Sequence, residues 1–216
     1  MRALENYIDH TILDPFADIA KVEAICQEAI THSFYSVCVS PFHISHVHTL
    51  LENTDVNACM VAGFPFGFDP TYSKMSTIKH NLGFYDEVDL VVNLQALSDG
   101  NWKYLKKEIV SLTQLLNQND KVVKWILESG NISRDSLERL CHICLEAEAD
   151  FVKTSTGYLG TGARTEDVQF MKQIVGDQAG VKASGGIRNK AFALELIDAG
   201  ASRIGASKSV QIVTEA

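Results

Sequence analysis

Two lysines carry the sharpest chemical signal in the chain. Lys153 and Lys182 each close an apolar run and lead into a small, polar, glycine-bearing turn: Lys153-Thr154-Ser155-Thr156-Gly157 and Lys182-Ala183-Ser184-Gly185-Gly186. Strand alternation groups Phe151, Lys153 and Ser155 on one face of the first run, and Gly180, Lys182 and Ser184 on one face of the second. Neighbouring strands lie ~4.8 Å apart, so the two ammonium groups could approach to ~6 Å. At an effective dielectric of ~20 their repulsion is about 2.8 kcal/mol, or roughly two pKa units. Desolvation acts in the same direction. One of the pair is therefore expected as a free amine near neutral pH, the form that attacks a carbonyl and gives a Schiff base.

Other charges share this pattern. In Glu87 to Asn93 one register holds Glu87, Asp89 and Val91, while Val88, Leu90 and Val92 on the other are wholly apolar. Lys124, Ile126 and Glu128 form a similar set on the following strand. Asp89, Lys124, Glu128, Lys153 and Lys182 are expected near one another. Burying so many ions costs several kcal/mol each unless they pair, which stability alone would not select. The alternative is structural salt bridging with no chemistry, Lys124 to Glu128 or Lys182 to Asp89.

The elements that must position these groups recur along the chain. Eight strand-like runs occur at Tyr7 to Leu13, Phe34 to Ser40, Asn57 to Gly63, Glu87 to Asn93, Lys121 to Glu128, Ala149 to Thr156, Ala179 to Gly185 and Ala201 to Ser207. Helical patterns lie between them at Asp18 to His32, His43 to Glu52, Thr71 to Phe84, Trp102 to Asn117, Arg134 to Glu146, Thr165 to Val175 and Lys190 to Ala199, with Ser133 and Asn189 placed as N-caps. Strand-helix alternation gives parallel pairing with right-handed crossovers, and eight strands favour an α/β (β/α)8 TIM barrel over an open sheet. Active sites of such barrels sit at the carboxyl ends of the strands. Loops after the seventh and eighth strands often cradle a phosphate there, and Gly185-Gly186 and Gly205-Ala206-Ser207, ahead of a short terminal helical stretch, fall at those places. The alternative for these glycines is an ordinary tight turn. Gly157, Gly160 and Gly162 have the wrong spacing for a dinucleotide fingerprint, so no nucleotide cofactor is expected.

Composition sets the outer bounds. The 216 residues carry 19 Lys+Arg against 27 Asp+Glu, a formal charge of −8, which argues against nucleic acid as a partner. With 46% hydrophobic and 21% charged residues the chain reads as one globular domain over residues 1–216, with no linker-like stretch. No apolar run suits a bilayer, and Arg2, Glu5 and Asp9 interrupt the start where a signal peptide needs an apolar core. A cytoplasmic protein without membrane contact is expected. The 5 cysteines read as reduced, small apolar residues.

Asp9-His10-Thr11, Gly63-Phe64-Pro65-Phe66-Gly67, Glu87-Val88-Asp89, Asp150 to Gly157, Gly162-Ala163 ahead of Glu166-Asp167-Val168, Val181 to Arg188 and Arg203 to Ser207 come in an order that spans nearly the whole chain. Together they resemble the deoxyribose-phosphate aldolase family. The resemblance implies a class I aldolase on a (β/α)8 barrel, interconverting 2-deoxyribose 5-phosphate with glyceraldehyde 3-phosphate and acetaldehyde. It makes Lys153 the Schiff-base lysine, Lys182 the neighbour that lowers its pKa, and Asp89 a partner in proton transfer through water. Thr11 and Cys38 would line the sugar end, and Gly157, Gly185, Gly186, Gly205 and Ser207 would contact phosphate. It implies phosphorylated sugar and aldehyde substrates; no cofactor and no metal are expected from the residues, and association into a homo-oligomer is left open. Two departures stand out. Tyr158 occupies the place of a phosphate-binding lysine found in some members, with Lys208 a substitute for it or a solvated side chain. Some members also end in a tyrosine that reaches the site, where this sequence reads Val213-Thr214-Glu215-Ala216. The competing functions are another phosphosugar lyase or isomerase, and a non-catalytic phosphosugar-binding barrel.

Weaker motifs read as structure. Cys141-His142-Ile143-Cys144 lies in a helical pattern with Leu137, Leu140 and Leu145 and lacks a second ligand pair for zinc. His43, His46 and His48 alternate with the apolar Ile44, Val47 and Leu51, so they belong to a solvated helix face. Cys38 ends an inward run, where a structural thiol or one open to electrophilic aldehydes are the two readings.

Overall fold

The computed structural model describes residues 3–215, so Met1, Arg2 and Ala216, part of the expected 1–216 domain, lie outside the described residues. Eight parallel strands close into a barrel in chain order: β1 (Ile8–Thr11), β2 (Ser36–Val39), β3 (Asn57–Ala62), β4 (Glu87–Val91), β5 (Val122–Ile126), β6 (Phe151–Lys153), β7 (Gly180–Ser184) and β8 (Arg203–Ala206). β8 pairs back onto β1, with Asp9 beside Gly205. Around them run α1 (Ile19–His32), α2 (Ile44–Leu51), α3 (Thr71–His80), α4 (Leu94–Ser98), α5 (Trp102–Asn117), α6 (Arg134–Glu146), α7 (Thr165–Val175), α8 (Lys190–Asp198) and α9 (Ser209–Thr214). No described helix is long and apolar enough to cross a membrane.

The strand parity reads out directly as two layers. Val88, Leu90 and Val92 of the β4 segment join Val123 and Trp125 of β5 in the core between sheet and helices, with Leu105, Ile109 and Leu112 of α5. The Trp125 indole N–H donates to Thr113 Oγ1 at 2.9 Å, which fixes that residue outward and leaves Lys124 pointing in. A small apolar cluster, Cys38, Cys59 and Val61, lies inside the barrel, under the partly buried Leu13 and Phe64. Most of the remaining buried inward side chains are charged: Asp9, Glu87, Asp89, Lys124, Lys153, Lys182 and Arg203, with the apolar Val91 and Ile126 among them.

Side chains end the helices as the sequence implies. Ser133 Oγ accepts from the Ser136 N–H at 3.2 Å and Asn189 Oδ1 from the Phe192 N–H at 2.8 Å. The expected strands are all trimmed at their ends, most of all Ala149 to Thr156, which is regular only over Phe151–Lys153, and two stops have a local cause. The helix expected over Thr71 to Phe84 stops at His80, where Asn81 folds its amide back to the Thr77 carbonyl. The strand expected to reach Glu128 stops at Ile126, because Glu128 adopts a left-handed backbone, φ 58° and ψ 47°.

Candidate active site

The register aligns Asp89 with Lys124, Ile126 with Lys153, Lys153 with Lys182, and Lys182 with Arg203 on successive strands. Inward parity then brings their heads together beneath the carboxyl end of the barrel. Asp89 is the hub. Its Oδ2 accepts from Lys153 Nζ at 2.6 Å and Lys182 Nζ at 2.7 Å, and its Oδ1 from Lys124 Nζ at 2.9 Å. Lys124 also pairs with Glu87, Lys182 with Asp9, and Arg203 bridges Asp9 and Glu87. The Arg203 guanidinium stacks on the Tyr35 ring, 3.4 Å from its centroid.

Pairing decides the protonation states in this cage. Burial alone would raise the Asp89 carboxyl, but Lys124, Lys153 and Lys182 outweigh it and hold it well below the ordinary carboxylate range. Burial alone would lower Lys182, but Asp89 and Asp9 outweigh that and raise it. Lys124 is raised in the same way, against burial, by Asp89, Cys59 and Glu87. Lysine-lysine repulsion therefore does not make Lys182 a free amine, because Asp9, left out of the two-lysine estimate, is bound to it. Nor does Lys124 pair with Glu128. The left-handed backbone turns Glu128 out of the strand, and its Oε2 accepts from the Thr156 N–H at 3.0 Å.

Above the cage opens a cavity of about 460 Å³, lined by Thr11, Lys153, Gly157, Gly185, Gly186, Gly205 and Ser207 among the residues expected at the site. Of the three ammonium groups on Asp89, Lys153 alone lines it; Lys182 and Asp89 lie beneath. Cys38 is fully buried under Leu13 and Phe64 and does not line the cavity. Its thiol is lowered first by a hydrogen bond with Cys59, its register partner, while burial opposes. Tyr158 and Arg188 also line the wall, and Lys208 does not. The Tyr158 hydroxyl donates to the Leu13 carbonyl at 2.7 Å and its ring stands edge-on to Phe64, strapping the β6–α7 loop to the β1–α1 loop.

The rim is built from backbone. Gly157, Gly185 and Gly186 have φ of 79°, 91° and 77°, a conformation that exposes successive N–H groups and suits an anion. Hydroxyls tie the ends of β6 and β7 together: Thr154 Oγ1 and Ser155 Oγ both donate to the Ser184 carbonyl, at 3.1 and 2.9 Å. A Cβ on Gly162 would lie 2.3 Å from the Gly185 carbonyl oxygen, so the β6–α7 loop packs onto the β7 turn only through glycine.

Sequence reasoning passed over Asp9, Glu87 and Arg203 as site residues. The parity that selects Asp89 also selects Glu87, and in β1 it places Asp9 with Thr11, so that signal was available. No such signal marks the buried pair at the outer edge of β4, where Lys74 of α3 donates to the Val91 carbonyl at 2.8 Å and to Glu108 of α5 at 3.0 Å.

A barrel with a lysine at the mouth of a densely ion-paired interior, beneath a glycine cradle, defines the class: a (β/α)8 barrel lyase. The model of the DeoC/LacD family aldolase matches residues 4–210, and the chain belongs to that family. It is 42% identical to deoxyribose-phosphate aldolase 1 of Vibrio vulnificus over 212 residues, 98% of this chain and 96% of that protein. It is 41% identical to deoxyribose-phosphate aldolase of Thermococcus kodakarensis over 215 residues, with the same coverage. Among solved structures, the deoxyribose phosphate aldolase of Aeropyrum pernix, described as tetrameric, superposes with a TM-score of 0.91 at 31% identity, covering 97% of this chain and 89% of that one.

Proposed function

We propose that the protein, acting as one barrel domain, cleaves 2-deoxy-D-ribose 5-phosphate reversibly to D-glyceraldehyde 3-phosphate and acetaldehyde through an imine on Lys153. One observation carries the assignment: Lys153 is the member of the Asp89 cage that faces the cavity. The cage holds four cations, Lys124, Lys153, Lys182 and Arg203, against three carboxylates, Asp9, Glu87 and Asp89. A proton leaving Lys153 therefore leaves three cations on three carboxylates, and the amine can add to the sugar's C1 carbonyl.

The phosphate rests on the Gly185-Gly186 and Gly205–Ser207 turns and Arg188, which sets the C1 end over Lys153. Loss of water from the carbinolamine gives the imine. The O–H bond of the C3 hydroxyl breaks, its proton passing through water to Asp89, C3 becomes the carbonyl carbon of glyceraldehyde 3-phosphate, and the C2–C3 bonding pair flows into the protonated imine to give an enamine. Protonation of the enamine carbon and hydrolysis then return acetaldehyde and Lys153. Asp89, bonded to Lys153 and kept as the anion by Lys124 and Lys182, passes protons without retaining them, with water between it and the substrate. Lys182 supplies the fixed positive charge beside the imine nitrogen. We also infer a reducing, cytoplasmic setting and a homo-oligomer; all five cysteines are unpaired, which suits the former.

Borohydride added with acetaldehyde tests the assignment by intact mass and peptide mapping. One ethyl group on Lys153 is expected. No adduct, or an adduct on another lysine, overturns it, and an isomerase working through an enediol would trap nothing.

A further inference from the structure

His10 does not belong to the cage. It lies between the inward residues Asp9 and Thr11 and points outward, 2% exposed, with its ring edge-on to Phe34. Its two nitrogens are both engaged. Nε2 meets Glu28 Oε2 of α1 at 2.7 Å, and Nδ1 meets Ser209 Oγ, the first residue of α9, at 2.9 Å. Ser209 is fully buried, and its hydroxyl also lies 2.9 Å from the Ala206 carbonyl. Ala206 is the register neighbour of His10 and the middle residue of the Gly205–Ser207 turn on the cavity wall.

We propose that His10 and Ser209 are positioning residues for the phosphate subsite, holding the Gly205–Ser207 turn in register through the Ala206 carbonyl. This rests on the phosphosugar reading above and adds residues that do not line the cavity. The donor inventory makes the chain of contacts specific. A carbonyl only accepts, so the single Ser209 hydrogen goes to Ala206 and the Ser209 oxygen must accept from Nδ1–H. The Glu28 carboxylate also accepts, so Nε2 donates to it. The remaining elements against the ring bring no second charge into this chain of contacts: α9 presents Ser209, the segment before β2 presents Phe34 with His32 stacked on it, and Asp9 lies on the opposite face of β1 with Lys182 and Arg203.

The experiment compares deoxyribose 5-phosphate with unphosphorylated deoxyribose as substrates of the full chain. Ser209→Ala is expected to raise KM for the phosphorylated sugar about tenfold, the equivalent of one lost hydrogen bond, with kcat within about twofold. kcat/KM for deoxyribose should stay within about twofold. His10→Leu should act in the same way, and His10→Asn, whose amide can replace Nδ1 toward Ser209, should restore most of the loss. Equal losses on both substrates, or an unchanged KM in both Ser209→Ala and His10→Leu, overturn the proposal. If the unaltered enzyme shows no preference for the phosphorylated sugar, the phosphosugar reading itself fails, and the two failures are thereby distinguished.

Discussion

Beneath Lys153 every polar contact is made by side chains, and no member of the cage is more than 3% exposed. Above it, at the rim, the recognisable parts are glycines with positive φ, carbonyls and amides. The two regions differ in what a substitution can do. In the cage each charge is held by others, so removing one strands its partners without solvent to compensate, and measured costs of breaking such buried pairs are about 3–5 kcal/mol. At the rim a substitution changes backbone freedom or packing, and solvent takes up much of the rest. Chemistry is therefore expected to fail first in the cage, and affinity at the rim.

The sharpest way to break that contrast is at Lys153. Lys153→Arg keeps a cation for Asp89 but has no amine nucleophile, so turnover should fall at least about a thousandfold while the thermal transition survives. Aldol cleavage in the purified variant above a no-enzyme control would remove Lys153 from its role.

Asp89→Asn comes next. It leaves Lys124, Lys153 and Lys182 around an amide, and destabilisation by about 3–5 kcal/mol in urea is expected. Solvent deuterium should also enter acetaldehyde more slowly per trapped imine, and unchanged exchange per imine would place the proton elsewhere. The pH dependence has a definite sign. Asp9 and Asp89 are depressed on folding, so their stabilisation is complete above about pH 4 and is lost as pH falls through the folded values. Lys124 and Lys182 are raised, so theirs is complete below about pH 10 and is lost only above that. Urea midpoints of the unaltered protein should thus be flat through neutrality and fall on the acid side, and a fall beginning at neutral pH would contradict the cage as described.

Lys182→Leu sharpens the comparison within the cage. Lys182 and Lys153 share Asp89 Oδ2, at 2.7 and 2.6 Å, so removing the Lys182 charge favours the ammonium form of Lys153 over the free amine. The kcat/KM profile should move to alkaline pH by at least about half a unit, with activity at neutral pH partly recovered in alkaline buffer. A normal rate with a displacement of less than about half a unit would show that the Lys182 charge does not set the state of Lys153.

How much of this was readable beforehand follows the same division. Strand parity carried the cage far: it selected Asp89, Lys124, Lys153 and Lys182, and the (β/α)8 barrel followed from the strand count. It fails at Glu128, where a non-glycine residue adopts a left-handed backbone that no alternation pattern marks, while in β1 the same parity places Asp9, the partner of Lys182, inward beside Thr11. Glycine turns announced the rim without saying which side chains support it. Cys38 marks the limit at the boundary, since its inward register was correct but Leu13 and Phe64 roof it over, and the roof comes from other strands' loops. The Lys74–Glu108 pair was invisible because helix α3 carries little amphipathic signal, and contact across three elements leaves none in any one of them.

The smallest expected effect separates two adjacent glycines of the rim. Gly185 and Gly186 both have positive φ, 91° and 77°, so alanine at either costs about 1–2 kcal/mol in backbone strain. Their surroundings differ. A Cβ on Gly185 would lie 2.5 Å from Ser155 Oγ and 2.9 Å from Gly162 Cα, against a hydroxyl engaged with the Ser184 carbonyl and against backbone that cannot rotate away. A Cβ on Gly186 meets nothing within 4 Å. Gly185→Ala should therefore push the β6–α7 loop off the β7 turn, disturbing both the rim and the hydroxyl clasp one residue beyond Lys153–Thr154, so kcat and KM should both worsen. Gly186→Ala should raise KM for the phosphorylated sugar by no more than about tenfold and leave kcat alone, the mark of a residue that serves binding only. Measuring both constants for the two variants decides it. Equal losses would mean that backbone conformation alone governs the rim, and a kcat defect in Gly186→Ala would mean that the rim reaches into the chemistry that the cage was taken to own.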